Sequence, residues 1–386
     1  MNLRNLVPAL ALAAITAAPA MAVDAVPAVS FAGWVDTKLI FSTSDNSTSL
    51  GDEVDDPTTA KDDTGATLGF TSAASIKAMW KVTDALSAKV NLWFDPGTAE
   101  VNMREAYFAW AINDTVTWSM GKYIDHIGWL SAEPTGLYTV NDSLIGYLDS
   151  YGNDVIGTSI KVAPKDSPLS GEFHIVNGYF TDSDAENTDL FADRNANREN
   201  TGLGFGLDLT YNLPEKMGNI NLDLAYDMNS GASATTLPDN GAGGNFGGDV
   251  FLVGLNATIT AVKSLTLGAE VLFLSYGESE SAAGVDGANA ADRLQFLLMG
   301  NYALGTSVPM SITGMLQYVQ TDFDAAGTPE TDSRLGLAAA LLTNPLGSSN
   351  FGLNFEIGYY DASDIGGVAS TDSNGIALSV EGLVTF

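Results

Sequence analysis

The chain of 386 residues carries 47 Asp and Glu against 16 Lys and Arg, a formal net charge of -31. Nucleic acid repels such a polyanion, the absence of Cys removes disulfide frameworks and thiol nucleophiles, and two His residues leave little for zinc. With 45% hydrophobic residues the chain is too apolar for an acidic disordered protein, yet no stretch beyond its start has the run of roughly 20 apolar residues that a spanning helix needs.

Residues 1–22, "MNLRNLVPALALAAITAAPAMA", combine one basic residue, Arg4, with a short apolar core interrupted by Pro8 and Pro19 and a small-x-small end at Ala20-Met21-Ala22. This reads as a secretory signal peptide cut before Val23 rather than a membrane anchor, and leaves 23–386 as one unit.

Apolar residues then recur at a period of two, which predicts strands. In chain order they are Val29–Phe41, Ala66–Val82, Ser87–Phe94, Val101–Ile112, Val116–Ile124, Asp154–Ala163, Leu169–Phe180 and Gly202–Leu213. The second half adds Asn219–Met228, Asp249–Ala261, Leu265–Tyr276, Arg293–Leu304, Pro309–Thr321, Ser333–Thr343, Phe351–Tyr360 and Gly375–Phe386. The connections alternate between short turns ("TDAL", "NDT", "PEKMG", "VKS") and mostly long acidic loops such as Ser42–Gly65, Asp125–Asn153, Thr181–Thr201 and Gly277–Asp292. About sixteen strands with short turns on one rim and long loops on the other predict an all-β fold: a transmembrane antiparallel up-and-down β-barrel with short periplasmic turns and long acidic extracellular loops. Trp80, Trp110, Trp118, Tyr211, Tyr302 and Phe386 then face outward near the short-turn rim, where amphipathic rings settle at a membrane interface.

The last strand places Ile376, Leu378, Val380, Val384 and Phe386 on one face and Ala377, Ser379, Glu381 and Thr385 on the other. A terminal strand ending in Phe behind a signal peptide resembles the C-terminal signature of Gram-negative outer-membrane proteins. Across the whole chain the pattern is similar to the porin superfamily, and the segment "MREAYFAWAINDTVTWSMGKYIDHIGW", Met103–Trp129, resembles a strand-turn-strand of OmpL-like β-barrel porins. The resemblance implies an outer-membrane channel that passes small hydrophilic solutes passively. It also implies Phe386 as the assembly signal read by the barrel-assembly machinery, contact with outer-membrane lipid and lipopolysaccharide, and a homotrimer.

Strict alternation turns Lys38, Lys77, Lys81 and Lys89 into the lumen, while Arg104 and Lys122 fall on the outer face unless a bulge re-aims them. The third connection on the long-loop side carries Asp125, Glu133, Asp142 and Asp149 and no Lys or Arg. In porins that third loop folds inward, so the resemblance implies an acidic constriction facing a basic wall, whose transverse field would favour small polar solutes. The other arrangement pairs the lysines with Asp36, Glu105 and further lumen carboxylates and leaves the loop as a surface lid. Vestibule and constriction carboxylates together predict a modest cation preference.

Other chemistry is weaker in the sequence. Asp182, Asp184 and Glu186 copy the spacing of the first EF-hand ligands, but Asn187 and Asp193 stand where the turn glycine and bidentate Glu belong, so only loose divalent binding in the acidic loops is expected. His126 and His174 lie in no nucleophile motif, and no enzyme activity is expected. Trp34 and Trp93 offer aromatic contacts to a ligand-specific channel, and a structural or adhesive barrel is the third reading.

Overall fold

The computed structural model describes residues 28–44, 65–95, 100–131, 133–141, 145, 154–179, 203–228, 249–277, 279–280, 286–288, 291–323, 330–347, 350–363 and 373–386. The signal-peptide reading of 1–22 lies outside them.

The first half contains β1 (Ala28–Ser44), β2 (Gly65–Lys81), β3 (Leu86–Asp95), β4 (Glu100–Ala111), β5 (Val116–Ile124), β6 (Asp154–Val162), β7 (Leu169–Val176), β8 (Leu203–Asn212) and β9 (Gly218–Met228). The second contains β10 (Val250–Ile259), β11 (Leu265–Tyr276), β12 (Ser279–Glu280), β13 (Asp286–Ala288), β14 (Ala291–Ala303), β15 (Met310–Phe323), β16 (Glu330–Thr343), β17 (Phe351–Ser363) and β18 (Ser373–Thr385). Sixteen of these form one closed barrel of antiparallel neighbours, in which β18 pairs with β1. The remaining two, β12 and β13, make a separate two-stranded sheet inside the connection Gly277–Asp292, where the sequence pattern predicts only loop. Dyad alternation marks core-facing strands well but is too short a signal to reveal pairs of two and three residues.

Closure follows from the pairing rules. An open edge would present unpaired N–H and C=O groups, each costing several kcal/mol in lipid, so every strand must find two neighbours. Local chemistry sets the short turns. Thr83 Oγ1 accepts from the backbone N–H groups of Ala85 and Leu86 at 3.2 and 2.9 Å, and Asn113 Oδ1 accepts from Thr115 and Val116 at 2.8 and 2.9 Å. Both side chains thereby take the place of a missing ladder partner and reverse the chain in a few residues.

The barrel is inside out relative to a water-soluble one. Large apolar side chains such as Phe31, Leu255, Ile357 and Phe173 lie on the exterior and are exposed, whereas polar Glu270, Gln295, Gln317 and Glu381 are buried inside. Solvent water would penalise that exterior and lipid does not. At the short-turn rim Trp110, Tyr211, Tyr302 and Phe386 are exposed on the outside. Trp110 pairs with Trp118 in register, their ring centroids 6.3 Å apart, and Trp80 pairs with Val29.

Candidate functional site: the loop across the lumen

The segment after β5 enters the barrel and crosses it. Asp125 sits at its root, buried, with Oδ1 accepting from the N–H of Ile127 at 3.3 Å. The backbone N–H of Gly128 then donates to Asp223 Oδ2 of β9 at 3.2 Å, and that of Trp129 donates to Glu270 of β11. The indole Nε1 of Trp129 donates to Thr258 Oγ1 of β10 at 2.8 Å. Gly268 on β11 makes this docking feasible, because a Cβ there would overlap the Trp129 indole.

Four residues later the same segment touches the opposite wall. Glu133 accepts from Lys77 of β2, and its Oε1 accepts from Asn91 Nδ2 of β3 at 3.2 Å. In the strand order β3 lies eight positions from β11 around a barrel of sixteen, so Trp129 and Glu133 are bonded to opposite walls. The chain turns at Pro134–Gly136 and returns, stacking Tyr138 on Trp129 with centroids 5.7 Å apart and planes 16° apart.

A third anchorage follows on the β17–β18–β1 wall. Glu356 accepts from the N–H groups of Val140 and Asn141 at 2.7 and 3.2 Å and from Asn141 Nδ2 at 2.7 Å, while Ser379 Oγ accepts from the same amide at 2.9 Å. Lys38 Nζ donates to Val140 O at 2.8 Å. Carboxyl oxygens that receive several N–H donors make directional anchors, so the loop is held by hydrogen bonds at three places on the wall.

The lysines of the sequence reading divide accordingly. Lys38 lies 3.4 Å from Asp36 and 3.9 Å from Glu381, Lys77 is joined to Glu133, and Lys89 lies 2.5 Å from Glu105. The inward loop and the paired lysines, set out as rival arrangements above, thus coexist. Lys81 differs in depth: it keeps the inward register of Lys77, but at the last position of β2 it lies 2.7 Å from Asp84 in the short turn and is largely exposed. Strand-face alternation assigns a side but carries no depth. Beside Lys81, the carboxyl of Asp84 is held below its usual range by the lysine's hydrogen bond and charge. Asp142 and Asp149 lie outside the described residues, as do Asp182, Asp184 and Glu186. Among the described residues no group of three or more His, Asp or Glu is arranged to hold a metal ion.

Arg104 is re-aimed. The β3–β4 register slips between Asn91 and Leu92, so Arg104 is the extra residue of a bulge and places its guanidinium 4.9 Å from the centroid of Trp93. Trp34 meets the same ring edge-on at 4.6 Å. Lys122 keeps the outer-face register with Ala106 and Ile156.

On the β5–β8 wall a polar chain runs from Tyr123 OH through His174, 3.2 Å from its Nδ1, to Asp208 Oδ2, 2.7 Å from its Nε2. His126 of the loop lies 5.8 Å from the His174 ring. Its ring touches the lumen, but enclosure by the surrounding barrel disfavours its charge and pulls its pKa below the ordinary histidine value, against the opposing pull of Glu172 and Asp208. The wall carboxylates Asp223, Glu270 and Glu356 are anchor residues that the sequence does not single out. A carboxylate at an inward-facing dyad position midway along a strand was the available signal.

No protein-family model matches the sequence, and no curated protein matches it. Solved structures do. OmpT, expressed in the outer membrane of Vibrio cholerae, aligns over 93% of this chain and 98% of its own with a TM-score of 0.59 at 12% identity. The outer-membrane channel DcaP of Acinetobacter baumannii aligns over 93% and 97% with a TM-score of 0.60 at 12% identity. An anion-selective porin from Comamonas acidovorans aligns over 94% and 100% with a TM-score of 0.56 at 12% identity. At such identity the likeness speaks of architecture: this chain is a closed sixteen-stranded barrel with the fold of outer-membrane porins and channels.

Proposed function

We propose that the protein is a passive channel of the Gram-negative outer membrane for ions and small hydrophilic solutes, with a modest cation preference. The observation that carries this reading is the loop held across the lumen of a closed barrel, from Asp223 and Glu270 on one wall to Lys77 and Asn91 on the other. A segment tied to three places on the wall narrows the passage without chemistry, and size and fixed charge then select solutes. Lys38, Lys77 and Lys89 each lie against a carboxylate, while further carboxylates recur on β7, β8, β9, β11, β17 and β18. Excess fixed negative charge concentrates cations over about 10 Å at 0.1 M salt. The proposal carries with it cleavage of residues 1–22, short turns facing the periplasm, assembly through Phe386, lipopolysaccharide at the long-loop rim with loose divalent binding there, and a homotrimer. A trimer form is among the Vibrio cholerae OmpT structures. The Asp208–His174–Tyr123 chain ends on a phenol rather than a serine or cysteine nucleophile, which favours a non-enzymatic role.

A ligand-specific channel is the second reading, favoured by the Trp34–Trp93–Arg104 stack on the lumen wall. Single-channel recording of refolded protein in salt gradients decides between them. A steady ohmic current with a cation-sided reversal potential supports the diffusion channel. A current blocked saturably by one solute supports the second reading, and absence of any current overturns both.

A further inference from the structure

We infer that ions cross this barrel off-centre, in water wetting the β2–β8 wall, while the β10–β17 wall stays dry at the depth of the loop. The inference rests on the channel reading above and locates its path.

The two walls differ in what they leave open. On the inward faces of β10 from Val250 to Asn256, β11 from Gly268 to Tyr276, β14 from Ala291 to Met299, β15 from Thr313 to Thr321 and β17 from Gly352 to Ala362, every second residue is buried. Leu252, Leu272, Leu274 and Leu297 have no exposed surface at all, and with Ile127, Leu130 and Ile145 of the loop they belong to one apolar cluster. An ion there would shed its hydration against leucines that offer nothing in return, and the polar groups between them, such as Glu270, Gln295 and Gln317, are themselves buried out of its reach. Such a surface excludes current.

The β2–β8 wall also holds buried polar groups, but open charged ones alternate with them. The side chain of Lys89 is 23% exposed, that of Lys161 is 53% exposed, and Asp208 and His126 also meet lumen solvent. Lys161 and Glu172 lie 3.3 Å apart, an opposite-charge pair with a wet face that can exchange contacts with a passing ion. Charged groups on a wetted wall supply the weak, replaceable coordination that conduction needs.

The chain contains no Cys, so single cysteines can be introduced without background. Glu172→Cys, Lys89→Cys and Lys161→Cys on one wall, and Leu272→Cys and Leu297→Cys on the other, are refolded, checked for the heat-modifiable band shift, and treated during single-channel recording with a charged methanethiosulfonate. The expected result is a stepwise loss of conductance at the first three positions and none at the two leucines. A response at Leu272→Cys or Leu297→Cys with silence on the β2–β8 wall overturns the off-centre path and leaves the channel reading intact. A wild-type barrel that passes no current overturns the channel reading itself. Lys161→Cys, the most exposed position, keeps the test decisive should a deeper variant fail to fold.

Discussion

Phe386 closes the barrel on Gly33. The two residues exchange backbone hydrogen bonds, Gly33 N to Phe386 O at 2.9 Å and Phe386 N to Gly33 O at 3.1 Å, and the phenyl ring lies over the glycine so closely that a Cβ would come within 2.6 Å of it. The terminal aromatic is therefore part of the β1–β18 seam as well as of the outer rim.

Two changes test that seam. Phe386→Asp removes the ring and puts a charge at the interface, while Gly33→Val forces a side chain against both the ring and the Ser75 carbonyl. Both are predicted to lower the yield of heat-modifiable barrel in the outer membrane, whereas Asp286→Asn, in the separate β12–β13 sheet, leaves it unchanged. Equal yields for all three would refute the role given to the seam.

Gly268 sets the seat of Trp129. We predict that Gly268→Leu unseats the indole, at a cost of about 1–3 kcal/mol for overpacking, and raises single-channel conductance as the loop leaves the β10–β11 wall. Trp129→Ala should raise conductance too, and the double variant no further. Additive increases would mean that the two residues act independently.

The three wall carboxylates should differ from the lysines in what they control. Glu356→Gln turns one of the two carboxyl oxygens that accept from three N–H groups at Val140 and Asn141 into an amide donor, so it should loosen the loop, widening the size cut-off in liposome swelling with sugars. An unchanged cut-off would remove Glu356 from the loop's anchorage.

Selectivity separates Lys77 from Lys81. Lys77→Gln leaves Glu133 without its cation and is predicted to strengthen the cation preference, an effect that weakens as salt rises. Lys81→Gln should leave reversal potentials unchanged, because its partner Asp84 is in the short turn. Glu133→Gln should move selectivity the other way. Identical behaviour of the two lysine variants would contradict the depth assigned to them.

His126 gives a pH dependence with a defined sign. Its pKa is depressed, so it is neutral at pH 7 and gains a positive charge only as pH falls below the ordinary histidine value of 6.5. That charge appears beside His174, Lys161, Glu172 and Asp208, and should reduce cation preference on acidification. Subtracting the profile of His126→Gln isolates this part from carboxylate titration, and a difference profile that stays flat throughout acidification below pH 6.5 would exclude it.

Much of the architecture was legible in residue order because a lipid-facing strand obeys two local rules. Ile376, Leu378, Val380 and Val384 alternate with Ala377, Ser379 and Glu381, and the structure puts the first set outside and the second inside. Backbone pairing then leaves closure as the only solution, because an open sheet edge in lipid would hold unpaired N–H and C=O groups. The bulge at Arg104 was one of two readings that alternation left open, and the register between β3 and β4 selected it. Depth along a strand, which moved Lys81 to the rim, carries no periodic signature, and neither does the partner of a loop residue.

What only the tertiary structure decided is where the loop goes. Glu133 could have met any cation, and nothing local relates it to Lys77, 56 residues away, or relates Trp129 to Thr258, 129 residues away. Those contacts exist because closing the barrel brings β2, β3, β10 and β11 around one lumen, where a segment rich in backbone donors must find acceptors out of reach of bulk water. Alternation is a property of neighbours in the chain, and it determined the wall. The crossing depends on residues far apart in sequence becoming close in space, and it was settled only by the fold.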